Sequence, residues 1–276
     1  MKKFGKLLVP VIIATLALGA CGKDEETAKG KTLKVGASNV PHAEILEAAK
    51  PILEKEGIDL EVEVIEGYVL PNTALDNGDI DANFFQHEPY LKNFNKEHGL
   101  DLVNAGGIHL EPIGFYSKKY KNISDLPKNA TIILSNSISD HGRILTLLEK
   151  EGLITIKDGV DKTNAQIEDI DKNDKNIKFK YDFEPALLPQ IFNGGEGDAV
   201  AINTNFAMDA GLDPLKDPIA LEGDDSDFVN IVAVQKGDED REDIKKLIKA
   251  LQSQEIQDFI ADEYKGAILA TPTTVK

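Results

Sequence analysis

Three short segments carry side chains whose types and spacing suit the capture of a small molecule. Tyr68 stands where an expected strand ends, and ligands of α/β sheets sit at strand exits; an aromatic at such a position serves equally well as a cap on the core. In Asn83-Phe84-Phe85-Gln86-His87-Glu88-Pro89-Tyr90, Phe85 and His87 share a strand face by period two, and Tyr90 follows a proline turn. Two rings and an imidazole brought together would line an apolar, polarizable pocket with polar edges. Arg143 falls in the first turn of an expected helix, where the helix dipole disfavours a cation. A helix N-terminus beside a guanidinium fork makes a carboxylate trap; the competing reading is a surface arginine paired with one of many carboxylates.

The rest of the sequence argues against catalysis. GxxxxGK[ST], HExxH and GxSxG are all missing, and the five histidines (His42, His87, His98, His109 and His141) show no i,i+4 pair for zinc. The run 76–81 (DNGDID) has its glycine in the wrong place for a calcium loop. The glycine-rich run 193–197 precedes a strand, whereas dinucleotide sites need a helix after the glycines. No catalytic residue, metal site or cofactor is expected, and the chain reads as a non-enzyme. Its formal net charge is −17, which repels phosphate backbones and excludes nucleic acid as a partner.

The single cysteine, Cys21, follows Lys2, Lys3 and Lys6, an apolar stretch over 7–18 and the small residues Gly19 and Ala20. That order is an export signal, and its apolar part is too short to span a bilayer, which needs about 20 residues. A cysteine at the cut site adds a thiol that can carry a diacylglycerol. We therefore expect residues 1–20 to be a lipoprotein signal peptide, Cys21 the lipidated residue, and the polar run 21–31 a tether to the outer face of the cytoplasmic membrane. With Cys21 committed to lipid, no disulfide or cysteine nucleophile remains.

From residue 33 apolar runs alternate between strand and helix patterns. Strands are expected at 33–37, 60–65, 82–87, 113–116, 131–134, 177–183, 199–202 and 229–234. Helices are expected at 43–56, with a kink or a shifted boundary at Pro51, at 140–150, and at 242–264, the last open to a break. The polar stretch 169–175 reads as a solvated loop. Alternating β and α argues for an α/β fold with largely parallel sheets. The pattern restarts once and ends in a late strand and helix, which suggests a two-lobed clamp of the periplasmic-binding-protein kind with two interlobe crossings. The lobes would be 32–116, 117–227 and a return to lobe 1 over 228–276.

With these segments in hand, the chain resembles the methionine-binding lipoproteins of bacterial ABC importers, the NlpA type. The resemblance rests on Tyr68-Val69-Leu70-Pro71-Asn72, Gly78-Asp79-Ile80-Asp81-Ala82-Asn83, Phe85-Gln86-His87-Glu88-Pro89-Tyr90-Leu91, Gly142-Arg143, Ala201-Ile202-Asn203-Thr204 and Phe228-Val229-Asn230. It implies that Tyr68, Phe85, His87 and Tyr90 surround a thioether, that Arg143 pairs with an amino-acid carboxylate, and that Asn203 and Asn230 bond the head group. It also implies a permease and an ATPase as partners, with L-methionine as the ligand. A methionyl dipeptide, another amino acid, or a non-transport role as sensor or adhesin are the alternatives. One departure stands beside Arg143: the family usually has asparagine where this chain has Asp140. An added negative charge there would weaken carboxylate binding or favour a differently placed ammonium.

Overall fold

The apolar runs fold into two main sheets, each covered by helices, with a small two-stranded sheet beside the second, and the chain passes between the main sheets twice. The computed structural model describes residues 31–270; the expected signal peptide, Cys21 and most of the tether lie outside them. In chain order the first lobe contains β1 (Lys31–Ala37), α1 (Glu44–Lys55), β2 (Ile58–Val64), α2 (Leu70–Asn77), β3 (Ala82–His87), α3 (Glu88–His98) and β4 (Val103–Leu110). The second contains β5 (Gly114–Tyr116), β6 (Thr131–Ser135), α4 (His141–Lys150), β7 (Thr155–Ile156), β8 (Ile170–Lys172), β9 (Lys178–Phe183), α5 (Leu188–Asn193), β10 (Ala199–Ile202), α6 (Thr204–Asp209) and β11 (Pro218–Leu221). The chain then returns through β12 (Val229–Val234), α7 (Glu242–Leu251), α8 (Gln254–Tyr264) and β13 (Leu269–Ala270) to the first lobe.

Strand order is β13-β4-β12-β3-β1-β2 in the first sheet and β11-β5-β10-β6-β9 in the second. The sheets are mixed, which corrects the expectation of largely parallel ones. β1 lies parallel to both β2 and β3, and β6 parallel to both β9 and β10, but β12, β4, β13, β5 and β11 pair antiparallel. The antiparallel strands are the crossing strands and their neighbours. They leave or re-enter a lobe without a helical crossover, so nothing forces them parallel. β5 pairs with β10 and β11, so the first crossing lies at 111–113, ahead of the boundary expected at 116.

Several elements depart from their sequence signals for identifiable reasons. Helix α1 runs through Pro51 rather than ending there; Pro51 and Glu47 are both exposed, so the carbonyl that Pro51 cannot bond faces water. The expected long C-terminal helix is two, because Ser253 is extended and caps α8 by accepting from the Ile256 N–H. Part of the expected loop 169–175 is β8, paired with β7. Strand β4 gives no strand signal because Gly106 and Gly107 interrupt its pattern. A Cβ on Gly106 would meet Ile248 at 2.8 Å, so the glycine is what lets α7 lie on the strand.

Each lobe has its own core. Leu33, Val35, Ile45, Leu46, Leu53 and Phe84 pack with Ile244, Leu247, Ile256 and Ile260 in the first. Ile132, Leu134, Ile144, Leu145 and Leu148 pack with Phe115 and Ala201 in the second. These faces leave the C-terminal ends of β1, β2 and β3 opposite those of β6 and β10, and the functional side chains follow those ends. Among the described residues no helix is long and apolar enough to cross a membrane.

Candidate functional site

Between the lobes lies a cavity lined by Tyr68, Phe85, Gln86, His87, Tyr90, Glu111, Arg143, Asn203, Thr204, Asn205 and Asn230. All seven cavity residues expected from the sequence are therefore in one place. Tyr68 follows β2, Phe85 and His87 end β3, Tyr90 opens α3, Arg143 opens α4, Asn203 follows β10, and Asn230 starts β12.

One wall is aromatic. Tyr68 lies 5.8 Å from Phe85, 5.6 Å from Tyr90 and 5.0 Å from Phe206, centroid to centroid. The Tyr90 hydroxyl donates to the Tyr68 carbonyl at 2.9 Å, and the Tyr68 hydroxyl donates across the lobes to Asn205 Oδ1 at 2.9 Å. Burial pushes both phenols up, so they remain donors. A fully buried amide network fixes this wall from below. Asn72 and Gln86 exchange hydrogen bonds of 3.0 and 2.7 Å, and Asn83 donates to Asn72 at 2.8 Å. Polar groups this deep need every partner, and this network supplies them.

His87 joins the aromatic wall to the polar one. Its Nδ1 accepts from the Tyr90 N–H at 3.2 Å and so caps α3, which places the ring hydrogen on Nε2, 3.0 Å from Asp140 Oδ1. Both ring nitrogens are thus occupied, and His87 offers a ligand its ring rather than a polar atom. Asp140 also accepts from Asn203 Nδ2 at 3.1 Å. Burial alone would raise its carboxyl, but the His87 and Asn203 hydrogen bonds and the Arg143 charge hold it down to about 2.

Arg143 is buried, but not as the open fork expected. Its Nε donates to Glu222 Oε2 at 3.0 Å, Nη2 bonds Glu222 and donates to the Glu111 carbonyl at 2.6 Å, and the guanidinium carbon lies 4.8 Å from the Phe228 ring centroid. Only Nη1 is left, 3.9 Å from Asp140 Oδ1. The carboxylate trap is therefore one edge of the guanidinium, and the rest of its charge is already paired. Nothing in the local sequence pointed to Glu222, which reaches the site from the second crossing, 79 residues away.

Behind Asn230, His42, His109 and Glu111 form a fully buried cluster whose ligating atoms all lie within 4.8 Å of one another. The set could hold a metal, but its atoms already bond each other. Both His42 Nε2 and His109 Nε2 reach Glu111 Oε1, at 3.2 and 2.8 Å. Burial lowers His42 to about 4 and His109 to about 3, so both rings are neutral near pH 7; burial also raises Glu111. A hydrogen on His42 Nε2 serves Asn230 Oδ1 as well, at 3.0 Å, while Nδ1 takes one from Ser38 Oγ at 2.7 Å. The Asn230 amide is held with its oxygen inward and its Nδ2 available to the cavity.

Sequence reasoning missed Asn205 and Glu111. Asn205 is 2% exposed and its Nδ2 has no partner among the described residues, so the cavity holds a buried donor waiting for an acceptor. It follows a strand exit, the same signal that marked Tyr68. Glu111 has no such signal; only the crossing itself buries it.

Two α/β lobes, two crossings and a cavity on their seam define a ligand clamp. The sequence profile of the NlpA lipoproteins matches residues 33–271, and the chain belongs to that family. It is 44% identical to the methionine-binding lipoprotein MetQ of Bacillus subtilis, over 96% of this chain and 98% of that one. A pheromone precursor/lipoprotein of the YaeC family from Enterococcus faecalis superposes with a TM-score of 0.85 at 55% identity, covering 87% of this chain and all of that one. A nutrient-binding protein from Burkholderia cenocepacia, solved bound to methionine, gives a TM-score of 0.80 at 41% identity, covering 87% and 99%.

Proposed function

We propose that the protein is the lipid-anchored substrate-binding component of an ABC amino-acid importer and holds L-methionine between its lobes. The observation that carries this reading is the pairing, in one cavity, of an aromatic box with a donor-rich polar wall. A thioether among Tyr68, Phe85, His87 and Tyr90 gains sulfur–aromatic contacts of about 0.3–1.5 kcal/mol each. The α-carboxylate takes the free edge of Arg143 with Asn205 Nδ2 and Asn230 Nδ2, and Asn203 serves the amine. The names of the Bacillus and Burkholderia relatives support the same ligand.

The protein does no chemistry in this reading. It closes on its ligand and delivers it to a membrane permease driven by a cytoplasmic ATPase. The Bacillus relative is named for methionine and the Burkholderia one was solved with methionine itself, which favours a free amino acid over a methionyl dipeptide. Thermal shift against the twenty L-amino acids and a set of methionyl dipeptides tests it. Methionine should give the largest rise in melting temperature; a larger rise with a dipeptide or with none of the amino acids overturns the assignment. For the anchor, palmitate labelling should mark the wild type and be lost in Cys21→Ser; equal label in both rules out Cys21.

A further inference from the structure

Asp140 sits at the start of α4, where an aspartate ordinarily accepts from the N–H groups of its own helix. It makes no such bond. Both its oxygens go instead to the cavity wall, Oδ1 to His87 Nε2 and Oδ2 to Asn203 Nδ2. Asp140 is 1% exposed and does not line the cavity, so it meets a ligand only through those two partners.

An ionised carboxylate can only accept. It therefore dictates which end of the Asn203 amide turns toward it: Nδ2 must face Asp140, leaving Oδ1 as the end a ligand can reach. Asn230 and Asn205 are held the other way. His42 takes Asn230 Oδ1 and Tyr68 takes Asn205 Oδ1, so both present Nδ2. Of the three asparagines on the polar wall, Asn203 alone shows the cavity an acceptor. The charges agree with this polarity: Asp140, Glu111 and Glu222 surround a single cation, Arg143, at the wall or just behind it.

Building on methionine as ligand, we propose that Asp140 is a specificity-determining positioning residue. By locking Asn203 with its oxygen toward the cavity, it makes the site select a protonated α-amine over the isosteric α-hydroxyl. An ammonium donates to Asn203 Oδ1 and offsets the surplus negative charge. A hydroxyl donates one neutral bond and brings no charge, so an α-hydroxy acid enters as a net anion beside three carboxylates.

The test is calorimetry on the lipoprotein in detergent, with L-methionine and with 2-hydroxy-4-(methylthio)butanoate, which keeps the carboxylate and thioether and replaces the amine by hydroxyl. The wild type should prefer methionine by about 100-fold or more. In Asp140→Asn the amide partner can offer a donor, Asn203 is free to turn, and the preference should narrow about tenfold or more. A purely structural role for Asp140 would weaken both ligands alike; an unchanged ratio therefore overturns the proposal, as does a wild type that does not tell amine from hydroxyl. Should Asp140→Asn fail to fold, Asn203→Ala carries the same ratio test, because it deletes the acceptor and leaves Asp140 bonded to His87. If the wild type binds neither compound, the methionine assignment fails instead.

Discussion

Arg143 and Glu222 form a buried ion pair that ties the first turn of α4 to the second crossing between the lobes. The side chains are 3% and 12% exposed, and Glu222 in turn accepts from the Ile113 N–H of the first crossing at 3.1 Å. One guanidinium thus fastens both crossings and keeps a single edge for a ligand. Arg143→Ala removes the cation from Glu222, which keeps only the Ile113 N–H and Ser226 Oγ; the cost should approach, without reaching, that of breaking a fully buried pair, about 3–5 kcal/mol. We expect methionine affinity to fall about 100-fold or more and the urea midpoint to drop with it. Binding within fivefold of wild type by calorimetry, with the fold intact, would mean that Arg143 has no ligand role.

Glu222→Gln keeps a hydrogen-bonding group beside Arg143 and removes the competing charge. The free edge of the guanidinium should then attract a carboxylate more strongly, and methionine should bind about three- to tenfold tighter. Calorimetry at low and physiological salt checks it. Weaker binding at both would mean that Glu222 matters for geometry rather than charge.

Gly142 stands beside Arg143 in α4, and a Cβ there would run into the carbonyls of Lys162 and Thr163. Backbone cannot swing aside as a side chain can, so Gly142→Ala should destabilise the second lobe by about 1–3 kcal/mol or more. Gly194 is the control: a Cβ there meets only carbonyls at 3.4 and 3.5 Å, and Gly194→Ala should stay within about 0.5 kcal/mol. Equal urea midpoints for the two variants would contradict the packing described.

Stability should fall as the solution is acidified below pH 6.5. Burial depresses His42 to about 4 and His109 to about 3 in the folded protein, while the unfolded chain takes up protons near 6.5. The unfolded state therefore binds more protons in that window, and each histidine contributes up to about 1.4 kcal/mol of lost stability per pH unit. Glu111, raised by burial, works in the opposite sense at the lower end. Asp140 adds its own loss only between 3.8 and about 2. Urea midpoints at pH 7, 5.5 and 4.5 should descend; a flat profile would mean that the two rings are not buried neutral.

How much of this was readable from residue order differs between the lobes' frames and the site. Strands such as β6, β10 and β12 announce themselves because burial on both faces demands nearly unbroken apolar runs. Strand β4 does not, since its glycines answer to the close approach of α7 and not to strand propensity. The aromatic wall was legible because Tyr68, Phe85, His87 and Tyr90 lie within 23 residues of one another around two strand exits. The polar wall was half legible. Arg143, Asn203 and Asn230 fall in recognisable runs, but Glu222, Glu111 and His42 reach the site only through the crossings and the turn after β1. Long-range polar partners leave no periodic trace.

An aromatic box chooses the side chain, and competition calorimetry on the wild type and Phe85→Ala is the direct test of that choice. Methionine should bind more tightly than norleucine, and norleucine, which keeps the length, more tightly than branched leucine. Each step should be about 1–3 kcal/mol at most, the range that apolar pockets achieve for such changes. Phe85→Ala should narrow the gap between methionine and norleucine while the head-group contacts stay in place. Leucine binding as tightly as methionine, or a Phe85→Ala variant that keeps the full methionine–norleucine gap, would contradict it.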